Sequence, residues 1–266
     1  MSISYKGKAV WVTGASSGIG EAVAYEFAKR GAILILSSRR TAELERVAIA
    51  CRELGGEGFV YPIDLSLPSQ IEEVASQILQ QFGKIDVLVN NGGISQRSFV
   101  IETPVEVDRK IMEIDFFGGV IITKKVLPQM VSQKYGHIIV ISSVTGVFGF
   151  PQRSAYSAAK HAIHGFYEAL WAELHEQGIN VTIVCPGRIR TNISLSALTK
   201  TGEPHGIMDH GQDSGISAED CARQIMRAVK RRKVEVYIGR KELIMVYLKR
   251  YLPWIFYKLV SKVKPT

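Results

Sequence analysis

The sequence predicts an α/β protein built on an open, doubly wound parallel sheet. Three observations carry that prediction. Short apolar runs alternate with longer segments of helical period along most of the chain, and strand, helix, strand repeated this way makes parallel βαβ units with right-handed crossovers. The first apolar run passes through a glycine-rich turn into a helix, VTGASSGIGEAV. The 266 residues are 46% hydrophobic and 22% charged, enough apolar surface for a large core.

Taken in order, AVWVT (9–13) reads as a buried strand, followed by a turn with Gly14, Gly18 and Gly20 and the helical segment GEAVAYEFAKRG (20–31). AILIL (32–36) is the second strand and TAELERVAIACREL (41–54) the second helix. GFVYPI (58–63) is a weaker strand, and SLPSQIEEVASQILQQF (66–82) a helix. The strands IDVLVN (85–90), HIIVIS (137–142) and INVTIV (179–184) alternate with helical segments over 104–133 and 154–177. No repeat, low-complexity stretch or domain-dividing linker interrupts this order. The exception is 191–215, TNISLSALTKTGEPHGIMDHGQDSG, a polar Gly- and Ser-containing loop of the length found in lids or disordered segments.

The net charge of +8 is localised. From Lys230 to the end there are eleven Lys or Arg against Glu235 and Glu242, so the basicity belongs to the tail, and no nucleic-acid motif accompanies it. Cys51, Cys185 and Cys221 are far apart with no CxxC pair, which argues against a disulfide framework or a zinc site and for a reducing, cytoplasmic setting. No secretory signal is read before the first strand.

Two stretches carry chemistry. Glycines where a first strand meets a helix allow a tight turn and bring a pyrophosphate close to backbone N–H groups at the positive end of the helix dipole. In SAYSAAKHAIHGF (154–166), Tyr156 and Lys160 lie at i and i+4 on one helix face. A tyrosine hydroxyl, with a reference pKa of about 10, is a weak acid, and a neighbouring ammonium favours its phenolate. That pairing suits proton transfer. By itself, the pair reads first as an ordinary amphipathic helix, since this spacing occurs often by chance.

Together the motifs resemble those of the short-chain dehydrogenase/reductase family over about residues 7–240. TGASSGIG matches that family's TGxxxGxG, NNGG (90–93) its NNAG, ISS (141–143) its strand-end serine, YSAAK (156–160) its YxxxK, and PGRIRT (186–191) its PGxxxT. The resemblance implies a Rossmann fold with a seven-stranded parallel sheet in the order 3-2-1-4-5-6-7. It implies that Tyr156 is the catalytic acid/base, that Lys160 lowers its pKa and holds the nicotinamide ribose, and that Ser143 polarises the substrate carbonyl. In the cofactor site it places Ser16, Ser17 and Ile19 with the three glycines of the loop, Asp64 and Leu65 at the adenine, Asn90 and Gly92 along the cleft, and Pro186, Gly187, Ile189 and Thr191 at the nicotinamide. One departure from the pattern bears on the chemistry: Asp115 in MEIDFFG stands where the family commonly has an Asn that anchors a proton-relay water. Its size preserves the helix distortion there, and its charge is placed to pair with Lys160.

The end of the second strand, LSSRRTAEL, presents Ser38, Arg39 and Arg40 where a carboxylate would accept the ribose hydroxyls of NAD. Guanidinium groups there make forked bonds to a 2′-phosphate, so NADP(H) is expected as the preferred cofactor, with NAD(H) as the other option. His161, His164 and Glu168 at i, i+3 and i+7 are read as a polar stripe, and no metal is expected.

The tail KELIMVYLKRYLPWIFYKLVSKVK mixes aromatic residues with Lys249, Arg250, Lys258, Lys262 and Lys264. Its longest uncharged run, Tyr251 to Tyr257, is far short of the roughly 20 residues that span a bilayer. It suits either a membrane surface or packing against protein. The expected organisation is thus a catalytic domain over 1–239 with 191–215 as substrate lid, and a helical tail over 240–266. The expected activity is interconversion of a carbonyl and a secondary alcohol, on a lipophilic substrate if the tail meets membrane. A homodimer or homotetramer is implied by the resemblance. The rival reading is a nucleotide-binding sensor or scaffold in which Asp115 has disabled turnover.

Overall fold

In the computed structural model, which describes residues 4–263, AVWVT is buried at every position of β1 (Ala9–Thr13), as a parallel strand covered on both faces requires. β1 pairs in parallel with β2 (Ile33–Ser37) on one side and β4 (Val87–Asn90) on the other. β3 (Glu57–Val60), β5 (Gly136–Ile141), β6 (Ile179–Pro186) and β7 (Glu235–Ile238) complete a seven-stranded parallel sheet in the order 3-2-1-4-5-6-7. The chain runs outward from β1 to β3 and returns to β4 beside β1, so the strand order reverses there. A crevice forms at the carboxyl ends of strands on either side of such a switch point.

Apolar stripes decide which helices cover which face. α1 (Gly18–Ala28), α2 (Thr41–Glu53) and α8 (Ala218–Lys230) bury Val23, Phe27, Leu44, Val47 and Ile225 in one core layer. α3 (Pro68–Phe82), α4 (Val105–Met112), α5 (Gly118–Ser132) and α6 (Ser154–Leu174) bury Ile71, Ile78, Ile111, Val126 and Ile163 in the other. α3 illustrates the local logic: Pro68 opens it, where the missing N–H has no intrahelical partner to lose, and Gly83 closes it at φ 70°.

Three features differ from the sequence expectation. The helical segment 104–133 is interrupted by a π turn, Glu113–Phe117, between α4 and α5. The extra residue swings Asp115 inward, and Gly118 follows because a Cβ there would lie 2.9 Å from the Leu65 carbonyl oxygen. Second, α8 lies beyond the segments named from the sequence, and β7 supplies the seventh strand that the resemblance implied. Third, the 191–215 loop is tied down: it contains the short helix α7 (His210–Asp213), and Leu198 bridges to both Gln96 and Pro204. The tail forms two short helices, α9 (Leu243–Tyr251) and α10 (Pro253–Val260), with Pro253 opening the second. Lys264 lies outside the described residues.

Candidate active site

The carboxyl ends of β1, β4, β5 and β6 open into one cavity of about 930 Å³. At its β1 end Gly14 and Gly18 both sit at φ +62°, a conformation that L side chains rarely adopt. A Cβ on Gly14 would also lie 2.7 Å from Asn91 Nδ2 and 2.8 Å from Gly92 Cα. Ser16, Ser17 and Ile19 line the same wall, and Ser17, the N-cap of α1, makes no side-chain cap bond to the helix. The first N–H groups of α1 therefore carry no side-chain cap at the end favoured by anions.

Along the adjoining wall stand Ser38, Arg39, Arg40, Asp64 and Leu65. The Arg40 guanidinium donates from Nη2 to Ser16 Oγ (3.0 Å) and Ser17 Oγ (2.8 Å), spanning from the end of β2 to the glycine loop. Gly92, Pro186, Gly187, Ile189 and Thr191 line the cavity farther on. This donor set fits a dinucleotide: glycines that leave no room for a Cβ, an uncapped helix start, two hydroxyls and a guanidinium.

Two of the expected cofactor residues lie off the cavity wall. Asn90 turns away from the cavity; its Nδ2 donates to Tyr167 Oη and Thr123 Oγ1, each at 2.9 Å. Successive strand residues point to opposite faces, and here it is Asn91 that faces the glycine loop, donating to the Thr13 and Gly14 carbonyls at 3.0 and 3.1 Å. Gly20 does not line the cavity either. A Cβ there would fall 2.4 Å from the Gly14 carbonyl oxygen, so it lets α1 close against the loop.

Ser143, Tyr156, Lys160 and Asp115 all border this cavity, brought from β5, α6 and the π turn. Tyr156 and Lys160 are buried on one face of α6, with the ammonium 5.5 Å from the phenol ring centroid. Lys160 Nζ donates to the Ile141 carbonyl (3.2 Å) and pairs with Asp115 Oδ2 (3.2 Å). The other carboxylate oxygen of Asp115 accepts the Ile94 N–H at 2.7 Å. Burial pushes the Asp115 carboxyl above its ordinary value, opposed by Lys160 and by the Ile94 N–H. Burial alone would lower Lys160, but the charge of Asp115, with Tyr156 adding to it, holds the amine above its ordinary value. Oδ1 and Oδ2 of Asp115 thus face the Ile94 N–H and the Lys160 ammonium. Ser143, the N-cap of a short turn, accepts the Thr145 N–H at 3.2 Å, which orients its hydroxyl group.

Several residues in the site were not singled out from the sequence. Gln96 Oε1 accepts from Ala155 N (2.9 Å) and Tyr156 N (3.4 Å), capping the start of α6 from another loop and positioning the tyrosine. Arg97, Arg153 and Asp209 meet at the cavity wall. Arg97 donates from Nε to both Asp209 oxygens (3.2 and 3.1 Å), and Arg153 donates from Nη2 to Oδ2 (3.1 Å). Burial together with Arg97 pushes Arg153 down to about 10. Asp209 is held below its ordinary value because the guanidiniums outweigh its burial. Thr145 Oγ1, also on the cavity, is buried without a hydrogen-bond partner. No local signal marks these residues, since partners 56 and 112 positions apart meet only through the fold. Of the polar stripe on α6, His161 Nδ1 lies 2.8 Å from the Ser157 carbonyl, and His164 Nε2 3.1 Å from Ser142 Oγ.

The family model described as "short chain dehydrogenase" matches residues 8–201. Mouse "Dehydrogenase/reductase SDR family member 7B" is 42% identical over 260 residues, 95% of this chain and 80% of that protein. Among solved structures, a short chain dehydrogenase/reductase from Burkholderia phymatum in complex with NAD aligns with a TM-score of 0.84 at 24% identity, covering 99% of both chains. An alcohol dehydrogenase from Thermococcus sibiricus complexed with 5-hydroxy-NADP aligns at 0.75 and 24% identity, over 89% of this chain and 97% of that one. On the family match, the identity to its relatives and the sheet order, this chain belongs to the short-chain dehydrogenase/reductase family of oxidoreductases.

Proposed function

We propose that the protein is an NADP(H)-dependent oxidoreductase interconverting a carbonyl and a secondary alcohol on a lipophilic substrate. The observation that carries this reading is the convergence of Tyr156, Lys160 and Ser143 on the cavity that also holds the glycine loop and the start of α1. When bound, a nicotinamide dinucleotide supplies or takes up the hydride. In the reductive direction Tyr156 gives its hydroxyl proton to the oxygen that becomes the alcohol. Ser143 Oγ donates a hydrogen bond to that oxygen as negative charge develops on it. The Lys160 ammonium opposes the charge left on the phenol, and Asp115 holds the amine in its charged form. Thr145 Oγ1, buried and unpartnered, is a further donor for a substrate oxygen.

The preference for NADP(H) is supported by Arg40, a guanidinium at the end of β2 that bonds the loop serines and is of the type that makes forked bonds to a phosphate. Of the two solved relatives described above, one holds NAD and the other 5-hydroxy-NADP, so the family likeness alone does not choose. The lipophilic substrate is supported by Val144, Phe148, Phe150, Leu195 and Met245 on the cavity wall. Absorbance of the reduced nicotinamide tests the reading, with NADPH and NADH against ketones graded by chain length and ring size. Turnover should rise with lipophilicity, and Tyr156→Phe should lose about 10² to 10⁴-fold in kcat. A Tyr156→Phe variant as active as the parent would overturn the mechanism.

A further inference from the structure

The tail has two faces. Toward the domain, Val246 and Phe256 are buried with Val144 and Phe148 of the segment that follows Ser143, and the Phe148 and Phe256 rings meet edge to face at 5.3 Å. Toward solvent, α9 presents Ile244, Tyr247 and Tyr251 at i, i+3 and i+7, and α10 presents Trp254, Tyr257 and Leu259. Trp254 is 62% exposed and Tyr251 69%, although such rings are ordinarily covered. The cations Lys249, Arg250, Lys258 and Lys262 accompany them, and no Asp or Glu occurs from Leu243 to the end of the chain. Lys249 Nζ lies 4.4 Å from the Tyr257 ring centroid, and Lys258 Nζ lies 5.6 Å from that of Trp254.

We propose that the exposed face of α9 and α10 docks onto anionic membrane and opens the substrate cavity toward lipid. The lipid-entry part rests on the reading of the cavity as a site for lipophilic carbonyls. Aromatic rings with flanking cations suit the boundary between headgroups and acyl chains. Helices of nine and eight residues lie in that boundary, and no described helix is long and apolar enough to cross a membrane. A second copy of this chain is a poorer occupant, because self-pairing would bring two acid-free cationic faces together. The same segment reaches the site: Met245 from α9 and Val263 beyond α10 line the cavity. Substrate dissolved in the bilayer thus has a route past the tail to Tyr156.

Vesicle flotation of the full chain tests the docking without any turnover measurement. The probes are phosphatidylcholine vesicles and vesicles one-third phosphatidylserine, with the exposed Trp254 fluorescence read in parallel. Binding to the anionic vesicles should exceed that to the neutral ones by ~10-fold or more, and should weaken in high salt. The charge-reversed Lys249→Glu, Arg250→Glu, Lys258→Glu variant and the aromatic Tyr247→Ser, Tyr251→Ser, Trp254→Ser variant should each lose that excess. Both sets lie outside the cavity wall and should keep the parent's circular dichroism and its turnover of a short, water-soluble ketone. Equal partitioning of parent and variants overturns the proposal, as does a parent that prefers neither vesicle. So does light scattering in which the aromatic variant converts an oligomer to monomer while the parent ignores vesicles. An enzyme that binds vesicles but reduces no carbonyl refutes the proposed activity and leaves the docking standing.

Discussion

Lys160 and Asp115 form a buried ion pair at the cavity wall, Nζ to Oδ2 at 3.2 Å, with the lysine on α6 and the carboxylate on the π turn between α4 and α5. The pair couples the lysine of the YxxxK motif to a position where this chain departs from the family pattern. Asp115 is therefore a counter-charge, and its effect on catalysis runs through the amine.

Asp115→Asn removes that counter-charge while leaving an oxygen for the Ile94 N–H. Burial lowers Lys160, and Asp115 with Tyr156 adding to it holds the amine above its ordinary value, so losing the carboxylate lowers it, and the ammonium is lost at lower pH. The basic limb of the kcat profile should move toward neutrality. Profiles of parent and variant measured side by side check this, and superimposable curves would show that Asp115 does not hold the charge.

Arg40→Ala should weaken NADPH more than NADH. Charge-assisted bonds contribute about 1.5–3 kcal/mol each, so the ratio of kcat/KM for the two cofactors should fall ~10 to 100-fold. Steady-state kinetics with both cofactors decides it. A ratio unchanged in the variant would count against 2′-phosphate recognition by this residue.

Asp209→Asn should loosen the lid. The buried carboxylate pairs with two partly buried guanidiniums, and stripping one partner from a buried pair costs about 3–5 kcal/mol. Urea unfolding should register part of that loss, and limited proteolysis should cut faster within 191–215. KM should rise more than kcat falls, since Asp209 borders the cavity without belonging to the proton-transfer set.

His137 is buried on β5 with Nε2 2.9 Å from Thr182 Oγ1. Burial, helped by the charge of Arg232, pushes it from 6.5 down to about 4. The folded protein keeps this ring neutral where the unfolded chain takes up a proton. The associated stability is fully present above pH 6.5 and is lost as pH falls toward about 4, to an extent of about 3 kcal/mol. Denaturant melts of His137→Gln across that range should show a shallower acid loss than the parent.

Much of the site was legible because its parts are local. The Gly14 and Gly18 turn, the Ser38-Arg39-Arg40 strand end and the Tyr156–Lys160 pair are each set by a few neighbouring residues and by the period of one helix or strand. Asn90 shows the limit. NNGG marks the right turn, but whether Asn90 or Asn91 faces the cavity depends on the pleat phase of β4 within the finished sheet.

The sequence by itself determined the alternation of strand and helix, the glycine turn and the spacing of the tyrosine and lysine, because these follow from side-chain period and backbone stereochemistry over a dozen residues. Only the tertiary structure decided that Arg97, Arg153 and Asp209 would share one wall, that Gln96 would cap α6, and that the tail would bury Phe256 while exposing Trp254. Those relationships join residues far apart in the chain, and which face of an element is buried is settled by what packs against it.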